Sequence, residues 1–136
     1  MVVPPHSPAF SSKHNASRRQ VLRSTDTAAV PVLDFNTINA DGQFQTNIGM
    51  NQVMQSLDVR IGAGNDLAAG VFLQAAQGSG LEDVGIDLGP DGLTGVLGGA
   101  GSGGAHHNVT VLNGHIGFDL RMAQPAPTLS GARAIG

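Results

Sequence analysis

The segment Leu81-Glu-Asp-Val-Gly-Ile-Asp-Leu-Gly89 has near-copies on both sides, and this recurrence restricts the chain more than any other feature. Upstream stands Leu57-Asp-Val-Arg-Ile-Gly62; downstream stand His107-Asn-Val-Thr-Val-Leu-Asn-Gly114 and Leu129-Ser-Gly-Ala-Arg-Ala-Ile-Gly136. Aligning Leu57 with Leu81, then Asp83 with Asn108, gives spacings of 24 and 25 residues. Between these copies a second unit recurs as Gly70-Val-Phe-Leu73, Gly95-Val-Leu-Gly98 and Gly117-Phe-Asp-Leu120, at spacings of 25 and 22. Two strand-like units per repeat of roughly 20–25 residues is the period of a solenoid. A single solenoid coil cannot bury its own apolar face, so each coil needs a neighbour.

Alternation of side chains along a strand sets which residues face the core. Val59 and Ile61, Val84 and Ile86, and Val109 and Val111 are expected inside, with Asp58, Arg60, Asp83, Asp87 and Asn108 outside. In the last copy Ala132 and Ala134 share a face, while Leu129 and Ile135 break the period. In the second unit Val71, Leu73, Ile116, Phe118 and Leu120 point inward, and Asp119 and Arg121 outward. The repeat spacing predicts columns of Val59, Val84 and Val109, and of Ile61, Ile86 and Val111. Each buried aliphatic side chain in such a column contributes roughly 1.5–3 kcal/mol, provided that the next coil is present. The expected fold is all-β, a right-handed parallel β-helix of three to four coils over residues 31–136, preceded by a disordered basic arm at 1–30. An antiparallel sandwich is the main competitor, but its hairpin signals occur only at Asp41-Gly42, Asp91-Gly92 and Asn113-Gly114.

Composition narrows the function classes. Of 136 residues 20 are glycine, about twice the ordinary share, and they punctuate short apolar runs as turns between strands would. The densest run, Gly98-Gly-Ala-Gly-Ser-Gly-Gly104, has no Gly-Lys-Ser/Thr and no helix signal after it, so it reads as a sharp corner with positive φ and not as a phosphate loop. Lys13, Arg18, Arg19 and Arg23 precede the first acid, Asp26; the acidic remainder carries ten acids against Arg60, Arg121 and Arg133. An acidic body argues against a nucleic-acid partner. No apolar run approaches the roughly 18 residues of a membrane span. There is no cysteine, which removes disulfides and thiolate metal sites. Ser17-Arg-Arg-Gln-Val-Leu-Arg23 resembles a twin-arginine export signal, but no apolar core follows it, so a solvated arm is preferred.

Two stretches carry a wider resemblance. Gly70-Val-Phe-Leu-Gln-Ala-Ala-Gln-Gly-Ser-Gly-Leu-Glu-Asp-Val84 and Gly101-Ser-Gly-Gly-Ala-His-His-Asn-Val-Thr-Val-Leu-Asn-Gly-His-Ile-Gly-Phe-Asp-Leu120 resemble the parallel β-helix of the pectate lyase superfamily. The nearer likeness is to its branch related to exo-β-1,3-glucanases, glycoside hydrolase family 55. It covers about residues 50–136. The resemblance implies secretion, a polysaccharide partner and no cofactor. Members of that branch are several times longer, and their catalytic carboxylate is expected on coils outside this sequence. The chain is therefore expected to be an inactive fragment of a carbohydrate-active β-helix protein, with a non-catalytic surface, adhesion or structural solenoid as the alternative. Self-association through open coil ends is a further expectation, because an uncovered end exposes backbone donors and acceptors.

Carbohydrate-active β-helices use an exposed sheet face on which outward residues of successive coils align. Asp58 and Asp83 are the candidate catalytic carboxylates, about 5 Å apart if their coils stack in register, at the short end of the separations used in glycoside hydrolysis. Arg60, Asp87, Asp119 and Arg121 are candidate substrate-binding residues on the same face. The simpler reading, solvated surface pairs worth under about 1 kcal/mol, is preferred. No metal site is expected: His106 and His107 are adjacent on a strand, so they point to opposite faces, and a turn-exposed pair is the preferred reading. Asp83, Asp87 and Asp91 do not form a calcium loop.

Overall fold

The computed structural model describes residues 20–24, 31–36, 38–43, 45, 48–123 and 125–136. Among them are eleven strands: β1 (Gln20–Ser24), β2 (Pro31–Asp34), β3 (Val53–Gln55), β4 (Leu57–Ile61), β5 (Ala69–Leu73), β6 (Gly80–Asp87), β7 (Thr94–Gly98), β8 (Ala105–Leu112), β9 (Ile116–Asp119), β10 (Thr128–Ser130) and β11 (Arg133–Ile135). Each pairing between them is parallel. One sheet runs β1-β4-β6-β8-β10, with β3 also on β6 and β11 also on β8; the other runs β2-β5-β7-β9. The result is a β-solenoid of about three turns, and the antiparallel sandwich is excluded. The segment from Val53 to Leu57 enters the first regular coil as strand, with Met54 in the core, rather than as a helical turn.

The core lies between the two sheets. Val59, Val71, Ile86, Leu88, Val96 and Val109 are fully buried within it. Register corrects both predicted columns at their first member, Val59 and Ile61. Val84 pairs with Val109 and Ile86 with Val111, as the 25-residue spacing requires. Val59, however, lies beside Ile86 and not beside Val84, because Asp58 pairs with Gly85. The circuit from β4 to β6 is thus 27 residues long, and the conspicuous Leu57–Leu81 match is off by three. In the second sheet Val71, Val96 and Phe118 stack as the repeat predicts.

Two residue columns explain the shape of the coil. The first is a line of left-handed backbone. Ser56, Asp83 and Asn108 have φ of 54°, 52° and 50°, and Gly131 has 66°. They fall in one row, since Gln55 pairs with Glu82, Glu82 with His107, and His107 with Ser130. Each bends its strand and shifts the alternation by one, so Leu81 and Val84 are both buried although three apart. Asp and Asn tolerate this conformation better than other side chains. Here they also join the coils, with Asn108 Nδ2 donating to Asp83 Oδ1 at 2.5 Å. Asn108→Ala should therefore cost about 1–2 kcal/mol, from the lost hydrogen bond and the strained φ together. Asn108→Gly should cost less, because glycine keeps the backbone; urea midpoints of the two variants check the difference.

The second column is Gly70, Gly95 and Gly117, the residues that open each copy of the second unit. Gly70 pairs in row with Gly95, and Gly95 with Gly117, by the register of their neighbours. A Cβ on Gly95 would lie 2.6 Å from the Gly117 carbonyl oxygen and from both Val111 methyls. A Cβ on Gly70 would lie 2.5 Å from Ile86 Cγ2. The absent side chains let the second sheet sit close on the first. At the Gly98–Gly104 corner, Gly98, Gly99 and Gly103 do have positive φ.

Two further expectations need correction. Gln20–Ser24, inside the segment expected to be a solvated arm, forms β1 and pairs with β4 along its whole length. Its alternation lets Leu22 stand in row with Val59. The remainder of the expected arm, residues 1–19 and 25–30, lies outside the described residues. In β9 the predicted orientation also fails in part: Ile116 is 37 % exposed and Asp119 is buried. β9 is the edge of its sheet, so Ile116 lacks the neighbour that would cover it.

Candidate functional site

The structure separates most of the residues expected to share a site. Asp58 stands opposite Gly85, whereas Asp83 is in row with Ser56. The two candidate carboxylates are therefore two rows apart and are not the direct neighbours across coils that a 25-residue spacing predicts. Arg60 does pair with Asp87 across β4 and β6. Asp119 and Arg121 lie on the other sheet's edge, at the end of β9.

The acids are held by specific partners. Asp83 accepts from Asn108 of the next coil. Asp87 Oδ1 accepts from Asn113 Nδ2 at 2.8 Å and from the Gly89 backbone at 3.0 Å. Asp91 accepts from the Gly64 N–H at 2.8 Å, one coil back. Asp83, Asp87 and Asp91 each serve a different partner, Asn108, Asn113 with Gly89, and Gly64 in turn, and do not converge as calcium ligands. Among the described residues, no three His, Asp or Glu side chains come together in a metal-binding group. Arg121 grips Asp119 with two parallel contacts, Nε to Oδ1 at 2.8 Å and Nη2 to Oδ2 at 2.6 Å. The hydrogen bond from Arg121 holds the Asp119 carboxyl below its ordinary range, against the opposing effect of burial.

The histidines divide as strand geometry demands, but not both to the surface. His107 is exposed, whereas His106 is fully buried. His106 occupies the core column, paired in row with Leu81 on one side and Leu129 on the other. Its Nε2 accepts a 3.4 Å hydrogen bond from the Ala100 N–H, and its Nδ1 finds no partner among the described residues. Burial, assisted by the neighbouring His107, lowers its pKa to about 4. It is a neutral core residue at ordinary pH.

One surface feature lay outside the expected set. A half-open groove of about 160 Å³ runs across β3, β6 and β8. Two rows cross it, with Val53, Gly80 and Ala105 of the first and Glu82 and His107 of the second in its lining. The first is Val53, Gly80, Ala105 and Thr128, and the second is Gln55, Glu82, His107 and Ser130. The first row is small in the middle, where Gly80 can carry no Cβ because the Ala105 carbonyl occupies that space. The second row is polar and exposed throughout. Glu82 and His107 are directly paired, so their side chains leave the sheet side by side, about 4.8 Å apart at the backbone. The signal was present in the 25-residue spacing of Glu82 and His107, but Glu82 is hidden behind the acid that follows it.

The chain matches no family model, no curated protein and no solved structure. The solenoid assignment rests on the strand pairing.

Proposed function

We propose that this chain is a non-catalytic β-solenoid module that holds polysaccharide on the outer face of its larger sheet. The observation that carries the reading is the engagement of the acids. Asp83 and Asp87 both spend a carboxylate oxygen on an asparagine of the next coil, and Asp119 is bound on both oxygens by Arg121. A carboxylate committed to bracing adjacent coils is poorly placed to deliver or receive a proton at a glycosidic oxygen. Polysaccharide is chosen as the ligand class from the likeness of residues 70–84 and 101–120 to carbohydrate-active β-helices. Parallel coils also present equivalent side chains at a regular spacing of about 4.8 Å, close to the length of one sugar unit in an extended glycan.

The test pairs binding with turnover. The purified chain, titrated with laminarin and polygalacturonate, is expected to bind at least one of them and to release no reducing sugar from either. Asp58→Ala and Asp83→Ala are expected to leave binding within about twofold. Sugar release that disappears in either variant would establish the competing reading, a hydrolase using these two acids.

A further inference from the structure

We infer that the groove across β3, β6 and β8 is a subsite for one ring of a neutral glycan, gripped by Glu82 and His107. The inference rests on the polysaccharide reading above and goes further by choosing the residues and the charge of the sugar.

Three properties of the groove carry it. Size comes first: a half-open groove of about 160 Å³ is on the scale of a single sugar ring. Shape comes second. The middle of the floor is Gly80 and Ala105, over the buried Leu81, so the ring can approach the backbone closely. Val53 forms a side wall and is 54 % exposed, giving an apolar surface for the C–H groups of a ring face. The third property is hydrogen bonding. Glu82 offers a carboxylate acceptor, and the adjacent His107 imidazole offers a donor and an acceptor. Neighbouring hydroxyls on a sugar can each donate and accept, so the pair can hold two of them at once.

The contrast with the next row strengthens the assignment. Asp83 and Asn108 lie one residue further along and are joined to one another. Among the described residues neither Glu82 nor His107 is drawn into that bracing, and both side chains are exposed. Charge then selects the ligand. Glu82 is the acid in the groove wall, and the chain as a whole is acidic, with a net charge of −3. A uronate carboxylate would meet Glu82 as a like charge, whereas a neutral glucan would not.

The experiment titrates the full chain with laminari-oligosaccharides and with oligogalacturonides, following backbone amide shifts and affinity. Neutral oligosaccharides should shift Gly80, Ala105 and His107 first. Glu82→Ala and His107→Ala should each weaken binding tenfold or more while leaving the urea midpoint unchanged, since both side chains are exposed. Unaltered affinity in both variants would overturn the groove assignment and leave the binding module standing. A preference for oligogalacturonides would overturn the choice of a neutral ligand. Absence of binding to either glycan would overturn the module reading, and this inference with it.

Discussion

Gly95→Val should cost about 3 kcal/mol or more, or leave the chain unfolded. The position offers no escape. A Cβ there would meet the Gly117 carbonyl oxygen and both methyls of Val111 at 2.6 Å, well inside van der Waals contact. Moving Val111 disturbs a fully packed column, because it stands in row with Ile86. Moving Gly117 separates β9 from β7. Overpacking a tight interior costs about 1–3 kcal/mol even when only side chains must shift, and here backbone must shift as well. Domains of this size have only about 5–15 kcal/mol in hand. The measurement is urea unfolding followed by circular dichroism, with Gly136→Val as the control, since a Cβ there meets nothing within 4 Å. A wild-type midpoint for Gly95→Val would mean that the two sheets do not approach as described.

Acid should destabilise the fold through His106 before it acts through Asp119. The folded-state pKa of His106 is about 4, lowered by burial, against an ordinary value of 6.5. Between those values the unfolded chain binds the proton and the folded chain does not. Stability is therefore full above about pH 6.5 and is lost as pH falls toward 4, by roughly 3 kcal/mol across that window. Protonation also places a hydrogen on Nε2, which now accepts from Ala100 N–H, so that bond is broken. Asp119, whose pKa is depressed from 3.8 chiefly by the Arg121 hydrogen bond, gives up its contribution only below that ordinary value. The two effects thus occupy different pH ranges. His106→Leu would continue the apolar column of Leu81 and Leu129 and should flatten stability between pH 6.5 and 4. An unchanged slope in that variant would show that another group carries the acid sensitivity.

The coil period, the parallel stacking and most inward residues were legible in the sequence because they repeat. Gly70, Gly95 and Gly117 mark the second sheet by identity alone, and the structure gives the reason in the close approach of Ile86 and Val111. What misled was an attractive local match. Leu57-Asp-Val resembles Leu81-Glu-Asp-Val, but the circuit from β4 to β6 carries more residues, and the row is set by Asp58 opposite Gly85. A row of left-handed residues within the larger sheet explains the difficulty. Ser56, Asp83 and Asn108 shift the alternation inside what reads as a single run, so a strict period of two assigns the faces correctly only on one side of the bend. That shift turns His106 inward and leaves Glu82 and His107 on the groove, a site that depends on two coils and cannot be seen in either alone.

The register from β6 to β8 has a consequence for how such a protein gains length. Gly80 lies against Ala105, and the intervening residues 80–104 make one whole circuit. In genetic terms, a tandem copy of those 25 codons is a reading-frame-neutral cassette. Its product would meet itself at each row, and where Glu82, Asp83 and Asp87 now face His107, Asn108 and the Leu112 row they would face their own copies, so the seam between duplicates is uncharged only if those acids change with it.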